Sequence, residues 1–70
     1  MMPLLLSSPG EENIIRRIGG NPETKKHLED MGFVAGCPVT VISTIGGNLI
    51  VKVKESRVAI SREMAGKIMI

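Results

Sequence analysis

The stretch Leu28-Glu29-Asp30-Met31-Gly32-Phe33-Val34-Ala35-Gly36 constrains this chain most, because it reads as a helix stopped at a glycine and turned at once into a strand. Gly32 falls where a helix end needs a left-handed residue, which glycine adopts without the steric cost of a side chain. Phe33, the second residue past the helix end, then folds back on Leu28 inside it, the apolar partner of such a stop. Gly36 marks a second bend.

The helix that this corner terminates starts at Asn21-Pro22. Asn21 is a good cap acceptor, Pro22 suits the first helical position, where its missing N–H costs nothing, and Glu23 in the first turn suits the helix dipole. Thr24, Leu28 and Met31 share one face at helical spacing, while Lys25, Lys26, Glu29 and Asp30 face solvent.

The rest of the chain reads as short strands and turns. Pro3 to Leu6 predicts a short strand, Ser7-Ser8-Pro9-Gly10 a turn, and Asn13 to Ile18 a strand in which Ile15 breaks the alternation of Ile14 with Ile18, as a bulge would. For the hairpin after Gly36 the apolar pattern favours a three-residue loop, Gly46-Gly47-Asn48. That register places Val39, Val41 and Ile45 on one face with Leu49, Val51 and Val53, and a one-residue slip would reverse every side chain. Glu55-Ser56 predicts a tight turn, Arg57 to Ile60 a strand burying Val58 and Ile60, and Ser61 the cap of a single helical turn from Arg62 to Gly66. Lys67 to Ile70 closes as a strand. The expected fold is a single domain, residues 1–70, mainly β with one short helix: a small, strongly bent barrel of five to six strands.

Size and composition narrow the function. A 70-residue chain buries only roughly 60% of the surface its unfolded form exposes, so its core is small. That core must be aliphatic, because there is one Phe and neither Trp nor Tyr. An aromatic platform for single-stranded nucleic acid therefore cannot be assembled. The net charge of +2 is too slight for the basic stripe that drives binding to phosphate backbones, so no nucleic-acid partner is expected. Cys37 is the lone cysteine, which rules out an internal disulfide and fits a reducing, cytoplasmic setting. The apolar opening Met1 to Leu6 is too short for a signal peptide or an anchor, and no run approaches the roughly eighteen apolar residues of a span. Direct membrane insertion is not expected.

Little in the chain carries chemistry. His27 shares a helix face with Glu23 and Asp30, and with Cys37 these form the one set of residues able to hold zinc or ferrous iron, within one chain or between two copies in a homodimer. They lack the paired Cys or His spacing of closed metal sites, so a solvated helix face is the plainer reading and no firm cofactor is expected. Cys37, followed directly by Pro38, has no nucleophile turn around it and reads as a small packed thiol. Gly19-Gly20 and Gly46-Gly47 lack the lysine and spacing of a phosphate loop. No catalytic residue is assigned. The feature that a bland reading absorbs least is surface apolarity: Ile42, Ile50 and Met69 point away from the core in the register above. Lys52, Lys54 and Arg57 would rim such a patch, and Met31 and Phe33 of the corner join the candidate docking set.

These residues resemble the FeoA family of small ferrous-iron transport proteins. Ile14 to Gly20 is similar to its first long strand and double-glycine exit, Leu28 to Gly36 to its helix stop and turn. Val58-Ala59-Ile60 through Ala65 to Ile68 and Ile70 is similar to its closing strand, helical turn and strand. Two positions depart from the pattern: Ala35 stands where a proline is common, and Ser56 where a glycine is frequent. The resemblance implies an SH3-like barrel and a cytoplasmic, non-enzymatic accessory of iron transport that contacts the cytosolic GTPase part of the membrane ferrous-iron transporter FeoB. A similar domain ends iron-dependent repressors of the DtxR type, but with no DNA-binding helical domain before it a stand-alone module is expected.

Overall fold

Helix α1 (Pro22–Asp30) starts at its expected cap. Asn21 is extended and its Oδ1 accepts the Thr24 N–H at 2.8 Å in the computed structural model, which describes residues 1–70. Its end is a double hydrogen-bonded stop. The Gly32 N–H donates to the Glu29 carbonyl at 2.9 Å and the Phe33 N–H to the Leu28 carbonyl at 3.0 Å, with Gly32 at φ +105°. Leu28 and Phe33 are both fully buried in one apolar cluster, as the corner predicts.

Six strands accompany this helix: β1 (Glu12–Ile14), β2 (Arg17–Ile18), β3 (Pro38–Ile45), β4 (Asn48–Val53), β5 (Ser56–Ser61) and β6 (Ile68–Met69). A second helix, α2 (Arg62–Ala65), joins β5 to β6, and its Met64 N–H donates to Ser61 Oγ at 3.2 Å. The strands form a four-stranded sheet ordered β1-β3-β4-β5 and a two-stranded sheet of β2 with β6, all antiparallel, so the barrel is bent but not closed by hydrogen bonds.

The transfer between sheets happens at Ile15-Arg16. Ile15 still pairs toward β3, donating to the Cys37 carbonyl at 2.9 Å, whereas the Arg16 N–H already reaches the Met69 carbonyl at 2.7 Å. This explains the broken alternation: Ile15 and Ile18, three residues apart, are 1% and 6% exposed, because the chain changes partner after Ile15, whereas Ile14 is 46% exposed.

Three local expectations need correction. Residues 3–6 do not form a strand. Leu4–Leu6 is a 3-10 turn that drives Leu4 fully into the core, and the pairing falls earlier, where Met2 exchanges backbone hydrogen bonds with Ile70 and Pro3 bridges to Met69. Three consecutive leucines carry no period, so sequence pattern cannot say which one turns inward.

The β3–β4 loop has two residues, not three. Ile45 pairs with Asn48 across Gly46-Gly47, with Gly46 at φ +58°. A bulge between Val41 and Ser43 then shifts the register by one residue, setting Val41 against Val51 and Val39 against Val53. The bulge restores the facing of the apolar residues that the longer loop was expected to give, but it slides β4 the other way, setting Val41 against Val51 rather than Val53. The buried face is thus the expected one at Val39, Val41, Leu49, Val51 and Val53, but Ile45, on the loop side of the bulge, is 64% exposed.

The β4–β5 turn is Lys54-Glu55, with Ser56 already paired to Val53. Lys54 is the one non-glycine residue at positive φ, at +56°. Replacing Lys54 by glycine is expected to raise stability by about 1 kcal/mol, read as a higher urea midpoint, since the left-handed strain of a Cβ is removed.

The core consists of thirteen buried residues, all apolar, contributed by the helices, the first turn and both sheets, so no titratable side chain is held in the interior.

Candidate docking surface

Antiparallel pairing stacks side chains into rows across the four-stranded sheet, and one row on its outer face runs Glu12, Thr40, Lys52, Arg57. The neighbouring row is Ser43, Ile50, Ala59. Alternation along β4 buries Leu49, Val51 and Val53 and turns Ile50 and Lys52 to the other side, where Ile50 is half-buried and Lys52 exposed. Ile42, the extra residue of the bulge, is also half-buried and directly precedes Ser43, the partner of Ile50. A shallow depression of about 130 Å³ opens between Glu12, Pro38, Thr40, Lys52 and Lys54. Lys52 and Arg57 sit directly opposite one another, a like-charge pair that costs stability, with Glu12 the one carboxylate in their row.

The sheet therefore brings together Ile42, Ile50 and Lys52 of the candidate docking residues, with Arg57 beside them. The others fall elsewhere. Met69 is half-buried in β6, opposite Arg17 in the second sheet, and Met31 leans on the core from the end of α1. Phe33 is corrected outright: with no exposed surface it is the largest buried side chain of the core and cannot touch a partner. The turn that makes it adjacent to Leu28 also takes it away from solvent.

A second concavity was not legible in the sequence. An open groove of about 500 Å³ runs between α1 and α2, lined by Glu23, Thr24, His27, Ser61, Glu63, Met64 and Lys67. No spacing signals it, because its walls are some forty residues apart in the chain and meet only when the sheets close. The candidate metal ligands do not assemble around it or elsewhere. Glu23 and His27 line the groove, Asp30 and Cys37 do not, and nowhere do three His, Cys, Asp or Glu residues converge as an ion would require. Cys37 instead packs half-buried against the core beyond the Gly36 bend.

With this geometry in place, comparison with known proteins is decisive. The family model described as the FeoA domain matches residues 2–70. The chain belongs to the FeoA family. A curated FeoA relative, named as an Fe(2+) transport protein A from Methanocaldococcus jannaschii, is 36% identical over 70 residues, covering 100% of this chain and 85% of the relative. Among solved structures, a crystal structure of an iron uptake regulatory protein, FeoA, superposes with a TM-score of 0.88 at 28% identity, covering 96% of this chain and 91% of the other. The FeoA of Stenotrophomonas maltophilia, described as a prokaryotic SH3 domain protein and solved in complex with zinc, superposes with a TM-score of 0.86 at 21% identity, over 99% and 88% of the two chains. The mainly β, SH3-like fold expected from the resemblance is thus the fold of this FeoA domain, and its family function is that of an accessory in ferrous-iron transport.

Proposed function

We propose that this FeoA domain is a non-enzymatic, cytosolic accessory of ferrous-iron uptake that docks on the cytosolic GTPase part of a membrane iron transporter of the FeoB type. The docking face is the outer side of the four-stranded sheet around Ile42, Ile50 and Lys52. The observation that carries this reading is the outer row in which Lys52 opposes Arg57 beside half-buried Ile50. A partner with an apolar ridge flanked by carboxylates would cover the isoleucine and offset the paired positive charges. No helix is long and apolar enough to cross a membrane. The description of the Stenotrophomonas maltophilia relative as a candidate ferrous-iron transport activating factor points the same way.

The test is a pull-down of the transporter's isolated cytosolic domain by the wild-type chain and by Ile50→Glu, in the presence of a chelator. Ile50→Glu is expected to weaken binding at least about tenfold while circular dichroism stays unchanged. Undiminished binding by the folded variant would remove this face from the contact, and no binding by either protein would remove the GTPase part as partner.

A further inference from the structure

We infer that the free edge of β5 pairs with the β5 edge of a second copy of this chain, joining two four-stranded sheets into one continuous antiparallel sheet about a two-fold axis at Ala59. The inference rests on the register of β5, independently of the docking face proposed above. β5 is the outermost strand of its sheet, six residues long, with an unbroken register to β4. In a hairpin closed by the two-residue turn Lys54-Glu55, hydrogen bonding to β4 alternates. Ser56, Val58 and Ile60 turn their backbone groups to β4, and Arg57, Ala59 and the N–H of Ser61 turn outward.

Of the usual defences that outward row carries one, the charged Arg57; the strand contains no proline and no bulge, and Arg57 and Ala59 are exposed. Arg62, the next residue, donates its N–H back to the Gly47 carbonyl on the β4 side. The opposite edge of the sheet, β1, is by contrast only three residues long.

The sequence of β5 is self-complementary in one antiparallel register. With Ala59 opposite Ala59 of the second copy, Arg57 faces Ser61 in each half, and the backbone groups of Arg57 and Ala59 and the N–H of Ser61 are used, the Ser61 carbonyl serving as the N-cap acceptor of α2. The two guanidinium-bearing residues then lie four positions apart along the strand, about 13 Å, beyond the roughly 8 Å over which salt screens charges at physiological strength. On the core side, half-buried Val58 comes to face Ile60 of the second copy. Moving the register so that Arg57 opposes itself would set like charges directly together and use fewer backbone groups.

The experiment is light scattering and sedimentation equilibrium on the full chain with a chelator present, over a rising concentration series. The wild type is expected to shift from the 7.5 kDa monomer toward twice that mass. Ala59→Lys and Ala59→Glu should each weaken association at least about tenfold through repulsion across the axis, while an equimolar mixture of the two recovers the dimer, because only this register brings residue 59 against itself. Ala59→Pro, which removes an outward N–H and leaves the β4 ladder intact, should weaken it equally. A wild type that stays monomeric throughout, a dimer that folded Ala59→Lys leaves intact, or a mixture that fails to recover the dimer overturns the inference.

Discussion

Gly32→Val is expected to destabilise the domain by about 2–3 kcal/mol, because valine must adopt a backbone conformation that L side chains scarcely populate. The cost is conformational rather than steric. A Cβ built on Gly32 meets Val53 Cγ1 at 3.7 Å and Lys54 Cδ at 3.9 Å, both ordinary contacts, so there is room for the side chain but not for its φ of +105°. A loss of that size is expected to lower the melting temperature by roughly 10–20 °C in a domain this small. Gly32→Asn, which tolerates the left-handed region better, should lose distinctly less. Urea titration of the three proteins checks the order; equal losses for valine and asparagine would mean that bulk, not φ, sets the cost.

Phe33→Ala should be more damaging still, about 3–5 kcal/mol, through lost apolar transfer and the cavity left behind. Phe33 is the largest side chain in the core and has no exposed surface, and a domain of this size has little stability in reserve. The alanine variant is expected to be largely unfolded at 37 °C, with lost chemical-shift dispersion, whereas Phe33→Leu should fold at a cost of about 1.5 kcal/mol or less. This variant separates core from surface. Binding lost by Phe33→Ala must follow the loss of fold, while binding lost by Ile50→Glu must not.

These two neighbours show how unevenly the fold could be read in advance. Capping at Asn21, the stop at Gly32 and the return of Phe33 to Leu28 depend on residues a few positions apart, and glycine, proline and asparagine report local backbone demands directly. The buried face of the β3–β4 hairpin was legible for a similar reason, since Val39, Val41, Leu49, Val51 and Val53 recur at every second position, with Thr40 and Lys52 between them on the other face. The device that produces this register was not. A bulge at Ile42 and a longer loop give nearly the same pattern of apolar residues, and only the cross-strand pairings, Ile45 with Asn48 and Val41 with Val51, distinguish them.

The surface was less legible than the core. Ile50 and Lys52 follow from alternation along one strand, but the opposition of Lys52 and Arg57 needs the register of a second hairpin, whose turn proved to lie at Lys54-Glu55. Phe33 was placed among surface candidates because a hydrophobic residue beside a bend looks the same in sequence whether the bend points it in or out. The proposed metal set of Glu23, His27, Asp30 and Cys37 failed to assemble in one chain because residues at helical spacing share a face of α1 without any second element bringing Cys37 to it.

By itself, then, the sequence determined the ends of α1, the glycine bends at Gly32 and Gly36, the apolar face of the long hairpin and the FeoA likeness, the first three set by chemistry acting over a few bonds. Tertiary structure alone decided which of Leu4, Leu5 and Leu6 enters the core, where Ile15 hands the chain from one sheet to the other, and how α1 and α2 flank a groove. It also left β5 with an unpaired edge. Those outcomes depend on which distant segments compete for the same backbone groups and the same buried volume, and that competition is resolved only when the chain closes on itself.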